Sequence, residues 1–147
     1  ENSAISVNDE ITYLFKVNEK YQQMYGSHIP AIPSFDKKHL IKHGVKNNHI
    51  IIEKVNTLTI LDLINKHNIN DLDLLFIDAE GYDGKIIYDF FLNVKFRPII
   101  IFEYIHINNE FFSKLVKKLL EENYFYFSIS ENIICYPKEM DFTIKLN

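Results

Sequence analysis

Short apolar runs alternate with polar stretches along the chain, and the spacing of the hydrophobic positions separates strands from helices. In Ile11-Thr12-Tyr13-Leu14-Phe15-Lys16-Val17 the large apolar residues fall at odd positions. That period of two marks a half-buried strand, and Asn8-Asp9 supplies a turn ahead of it. Residues 18–34 show no such period and are punctuated by Gly26, Pro30 and Pro33, which predicts a loop. Ser34 can cap a short helix running to about His43, with Gly44 where a C-terminal glycine is favoured. Ile50-Ile51-Ile52 to Val55 reads as a strand, and Thr59-Ile60-Leu61-Asp62 has the form of a capping box opening a helix that ends near His67.

The second half is more strongly patterned. Leu72-Asp73-Leu74-Leu75-Phe76-Ile77 is a nearly unbroken apolar run, as expected of a strand buried on both faces of a parallel sheet. Asp78-Ala79-Glu80-Gly81 closes it, and a helix follows from about Asp83 to Leu92. Pro98-Ile99-Ile100-Ile101-Phe102 predicts a second buried strand, closed by Glu103. Residues 109–122 form an amphipathic pattern, with Phe112, Leu115, Val116, Leu119 and Leu120 at helical spacing and Lys and Glu opposite. Tyr124 to Ile129 and Ile133 to Tyr136, joined by Ser130-Glu131-Asn132, predict a closing antiparallel pair. The order of elements is that of an α/β domain with a mainly parallel sheet and one closing antiparallel strand.

Composition narrows the function classes. The 147 residues are 47% hydrophobic and 14% aromatic and carry no repeat or linker, so 1–147 reads as one globular unit. A formal charge of −4 with scattered basic residues argues against nucleic acid as partner. No apolar run is long enough to span a bilayer and nothing resembles a signal peptide, which argues against a membrane and for a cytoplasmic setting. The one cysteine, Cys135, lies in the closing strand and reads as a buried, inert thiol. The chain opens on Glu1 with no initiator methionine, as expected of a fragment or a processed chain.

In an open α/β sheet, ligands bind beyond the carboxyl ends of the strands, which makes Asp78, Glu80 and Glu103 candidate site residues. A carboxylate there can take a proton from a reacting hydroxyl, although Asp78 could equally accept backbone N–H groups at the start of the next helix. Glu80 shares the site only if the loop turns sharply, which Gly81 permits. Two neighbouring carboxylates can raise one another's pKa or hold a divalent metal. His106 follows Glu103 closely, and His39 and His43 are four residues apart, the helical spacing of a metal-binding pair. His39, His43, Glu80, Glu103 and His106 could thus form a metal site or bind a polar acceptor. Asp83 reads as a favourably charged residue of a first helical turn. Tyr82, Tyr104 and Phe35 could line an acceptor pocket or belong to the core.

Leu72 to Asp83, with Ile77-Asp78-Ala79-Glu80-Gly81 at its centre, resembles the signature of FkbM-type methyltransferases, a buried strand ending in Ile-Asp, a small residue and Glu-Gly. Val55 to Asp62 and Arg97 to Glu103 resemble the family's flanking segments. Ser34 to His43 and Phe102 to His106 are similar to a branch of the family, and Ala4-Ile5-Ser6 with Ile11 to Val17 to its third strand and the hairpin strand behind it. The resemblance covers almost the whole chain. It implies a Rossmann-like class I methyltransferase fold, entered at the third strand and incomplete at its N-terminus. It further implies S-adenosylmethionine as methyl donor and, as small-molecule acceptor, a hydroxyl of a sugar or secondary metabolite. On that reading Asp78, Glu80, Glu103 and His106 are catalytic. Asn2, Ala4 and Asp78 lie on the cofactor side, and His39, His43, Tyr82 and Tyr104 on the acceptor side. A divalent metal is an alternative tenant of the same groups.

The glycine-rich turn that holds the methionine part of the cofactor in that family, and the acidic residue that holds its ribose, have no counterpart in this sequence. Two other readings therefore stand beside an O-methyltransferase: a binding module that keeps the fold without catalysis, and a metal-dependent hydrolase or binding protein. A sheet without its first two strands exposes apolar surface, so self-association to a homo-oligomer is expected.

Overall fold

The computed structural model describes residues 2–7, 12–26, 29 and 33–140. The expected turn at Asn8-Asp9, the strand residue Ile11 and the loop residue Pro30 lie outside them. The chain forms two compact units, 1–63 and 64–147, divided within a helix.

The first unit contains β1 (Ala4–Ile5), β2 (Thr12–Val17), α1 (Lys37–Lys42), β3 (Ile50–Val55) and β4 (Thr57–Leu58). β2 and β3 form an antiparallel ladder from Thr12 opposite Val55 to Val17 opposite Ile50, while β1 and β4 pair in parallel. Val17, Ile29, Leu40 and Val45 make the core, with Phe15, Tyr21, Tyr25 and Ile50 packed against it. The segment expected as a loop contains a 3₁₀ helix, Glu19–Met24. Its aromatic residues anchor it: the Tyr21 ring stacks on His49 at 3.8 Å, and the Tyr25 hydroxyl and His49 Nδ1 form a 2.7 Å hydrogen bond.

α1 begins later than the sequence predicts. Ser34 pairs with Phe15 in a β-bridge, so Asp36 becomes the cap, its carboxylate accepting the Lys38 N–H at 2.8 Å. Gly44 ends the helix at φ +84°, as expected. The capping box of α2 (Ile60–Lys66) is formed as read: Thr59 Oγ1 accepts the Asp62 N–H at 3.1 Å and Asp62 Oδ2 accepts the Thr59 N–H at 3.3 Å.

The second unit contains β5 (Leu74–Ile77), α3 (Asp83–Asn93), β6 (Ile99–Glu103), α4 (Asn109–Glu121), β7 (Tyr124–Ile129) and β8 (Asn132–Pro137). All four strands and both helices lie within a residue or two of their predicted limits. The sheet order is β5-β6-β8-β7, with β5 and β6 parallel and both remaining ladders antiparallel. The sheet is therefore mixed rather than mainly parallel. A tight turn with Ser130 at φ +54° forces β7 and β8 into a hairpin, and β8 returns against β6.

Register explains which residues are buried. Leu75, Ile100 and Cys135 stand side by side, as do Ile77, Phe102 and Ile133, and these point toward α3 and α4. Ile87, Phe90 and Phe91 of α3 and Leu115 and Leu119 of α4 are buried there, and Phe91 meets Tyr124 edge-on at 5.2 Å. The opposite face does not match the expectation of burial on both sides. Leu74 and Phe76 of β5 are 49% and 62% exposed, and Phe125, Phe127 and Ile129 of β7 are exposed too. An apolar run specifies a strand, but the helices that cover it come from elsewhere in the chain, and α3 and α4 cover one face only.

Cys135 is fully buried, and burial pushes its thiol up to about 12. At pH 8 roughly one molecule in 10⁴ then carries a thiolate. Native chain should react with a thiol-specific disulfide reagent only as fast as it unfolds, and stoichiometric labelling within minutes without denaturant would contradict this burial. Among the described residues no helix is long and apolar enough to cross a membrane.

Candidate functional site

The parallel strands β5 and β6 end side by side, with Ile77 opposite Phe102, and the groups that follow them meet. After β5 the chain turns through Asp78-Ala79-Glu80-Gly81-Tyr82, with the Tyr82 N–H donating to the Ala79 carbonyl at 3.0 Å. After β6 it turns through Glu103 to Ile107, with the Ile107 N–H donating to the Tyr104 carbonyl at 3.0 Å. Asn108 then caps α4 by accepting the Phe111 N–H at 2.9 Å.

Two features hold the first turn. Gly81 sits at φ +92°, and a Cβ there would lie 2.9 Å from the His106 carbonyl oxygen, so the loops touch only because the residue is glycine. Glu80 before it is also left-handed, at φ +49°. The second feature is Asp83, whose side chain is wholly buried. Its Oδ1 accepts the Ala79 N–H at 3.2 Å and its Oδ2 the Gly81 N–H at 3.1 Å. Asp83 thus holds the loop ahead of α3 through two of its backbone N–H groups. An Asp two residues beyond a turn glycine was the available signal; a first-turn position alone does not say that the side chain folds back over the loop.

Glu80, Glu103 and His106 come together. His106 Nε2 stands 3.6 Å from Glu103 Oε2 and 3.8 Å from Glu80 Oε2. Glu103 Oε2 is buried and receives no hydrogen bond from any described residue. Burial, reinforced by the charges of Glu80, Asp78 and Asp83 and opposed by His106, raises the Glu103 carboxyl above the usual carboxylate range. Asp78 is exposed at the end of β5. The Tyr82 ring carries the Lys85 ammonium at 4.8 Å, and Tyr104 packs on Phe112 of α4 at 5.6 Å.

The remaining candidates belong to the first unit. His39 is buried on α1, His43 caps its end, and their rings are 4.6 Å apart. Asn2 is exposed, and Ala4 in β1 donates its N–H to the Asn56 carbonyl at 3.0 Å.

The raised Glu103 carboxyl has a consequence for stability. Between the ordinary glutamate value of about 4.3 and its higher folded-state value, the native chain keeps a proton that the unfolded chain releases. Stability therefore falls as pH rises through that window and levels off above it. Glu103→Gln should flatten this part of the urea-midpoint profile and slightly raise the midpoint at pH 7. An unchanged profile would show that Glu103 titrates normally.

No curated protein matches the chain significantly. A family model described as the methyltransferase FkbM domain matches residues 2–126, a span that includes β5, β6 and the three converging side chains. The chain belongs to the methyltransferase FkbM domain family.

Proposed function

We propose that this chain contributes the acceptor side of an S-adenosylmethionine-dependent O-methyltransferase acting on a hydroxyl of a sugar or secondary metabolite. The observation that carries this reading is the convergence of Glu80, Glu103 and His106 beyond the carboxyl ends of β5 and β6, in a chain of a methyltransferase family. Asp78, exposed at the end of β5, takes the acceptor's proton at a carboxylate oxygen, while Glu80, Glu103 and His106 fix the acceptor oxygen. S-adenosylmethionine supplies an electrophilic methyl group and little else is asked of the protein. The fold in this reading is a Rossmann-like class I domain, in a cytoplasmic setting that suits the unpaired Cys135.

The four glycines of the chain do not supply a cradle for the methionine end of the cofactor. Gly44 ends a helix, Gly81 touches His106, Gly84 lies inside α3 and Gly26 follows a 3₁₀ helix. The residues present fit an acceptor and not that end of the cofactor. The second reading is a module of the same fold that binds a polar ligand without methyl transfer.

Calorimetric titration with S-adenosylhomocysteine separates the two. Micromolar binding that weakens in Asp78→Ala, followed by transfer of labelled methyl to a panel of hydroxyl acceptors, supports the enzyme; no binding by a folded chain rejects it for this chain alone. The exposed face of Leu74, Phe76, Phe125, Phe127 and Ile129 leads us to propose further that the chain self-associates. Light scattering that reports a monomer at high concentration, with little binding of an apolar dye, would count against this.

A further inference from the structure

Glu80, Glu103 and His106 each bring one ligand atom to within 4.8 Å of the other two. The separations of 3.6 and 3.8 Å from His106 Nε2 are too long for hydrogen bonds. They approach the edge, roughly 3.4 Å, of a tetrahedron whose corners lie about 2.1 Å from a central cation. The buried Glu103 Oε2, with no hydrogen bond from any described residue, is the atom to which a ligand of positive charge brings most. The Asp83 carboxylate is committed to the Ala79 and Gly81 N–H groups, so Asp78, Glu80 and Glu103 supply the remaining negative charge beside His106.

We propose that Glu80 and Glu103, through one carboxylate oxygen each, and His106, through Nε2, bind one divalent transition-metal ion of the Zn²⁺ or Mn²⁺ type. Two carboxylates with an imidazole nitrogen suit such ions better than Mg²⁺, which takes oxygen ligands almost exclusively. Three protein ligands leave a position open for water or for an acceptor oxygen. Binding of the ion stands by itself; that it holds an acceptor hydroxyl rests on the methyltransferase reading.

The test is calorimetric titration of the chelator-treated full chain with ZnCl₂ and, separately, MnCl₂. One ion per chain is expected at micromolar affinity, weakened at least about tenfold by Glu103→Gln and by His106→Gln, with circular dichroism reporting that each variant folds. A second measurement needs no variant: the bound Mn²⁺ should show hyperfine coupling to one imidazole nitrogen in electron spin-echo spectra. No binding at millimolar metal, binding unchanged in both folded variants, or bound Mn²⁺ without nitrogen coupling overturns the site. Metal binding without S-adenosylhomocysteine binding would reject methyl transfer by this chain alone and leave the metal site standing, and S-adenosylhomocysteine binding without metal binding would overturn the metal site and leave the methyltransferase reading standing.

Discussion

Replacing Gly81 with alanine is expected to lower stability by about 2–4 kcal/mol, the sum of a left-handed backbone cost and a steric one. At φ +92° any side chain is strained, and the new Cβ would stand 2.9 Å from the His106 carbonyl oxygen and 3.2 Å from the His106 Cβ. The first of these neighbours is backbone and cannot rotate away, so either the Glu80 turn or the His106 turn must move. The same substitution should therefore separate Glu80 from His106 and weaken any ligand held between them. Urea denaturation of Gly81→Ala measures the first effect. A loss below about 0.5 kcal/mol, the range of ordinary surface changes, would show that the loops do not meet in this way.

Removing the Asp83 carboxylate should have an effect of similar size. Asp83→Ala leaves the Ala79 and Gly81 N–H groups without their acceptor and opens a cavity at a wholly buried position, a cost of about 2–4 kcal/mol. Asp83→Asn keeps one acceptor oxygen but turns an NH₂ toward the other donor, so its loss should be intermediate. The pH dependence distinguishes the two roles of this group. Burial raises the Asp83 carboxyl, and the N–H donors of Ala79 and Gly81 only partly offset that. In the wild type, stability should fall as pH rises from the ordinary aspartate value of about 3.9 through the higher folded-state value. Asp83→Asn removes that contribution. If Asp83→Ala unfolds at the wild-type urea midpoint, Asp83 does not hold the loop.

Much of this arrangement was legible in the sequence, and the reasons are local. β5, α3, β6, α4 and the β7–β8 hairpin each announce themselves by a period or an apolar run, and the α2 capping box forms between residues three apart. Candidate caps near one another are harder to rank. Ser34 and Asp36 both suit the start of α1, and the choice is made by a bridge between Ser34 and Phe15, far back in the chain. The 3₁₀ helix at Glu19–Met24 has no periodic signal because Tyr21 and Tyr25 are fixed by His49, a residue more than twenty positions away.

The candidate site divides in the same way. The sequence by itself determined that carboxylates stand at the ends of two apolar strands, that a glycine follows one of them, and that a histidine follows the other, because strand ends and turns are written in neighbouring residues. Tertiary structure alone decided that Glu80 and Glu103 both approach His106 while Asp78 is exposed, that Asp83 holds the loop backbone, and that Leu74, Phe76, Phe125, Phe127 and Ile129 are exposed. Each of these depends on how loops and helices distant in sequence pack, and the approach of the Gly81 turn to the His106 carbonyl is a contact that no local pattern encodes.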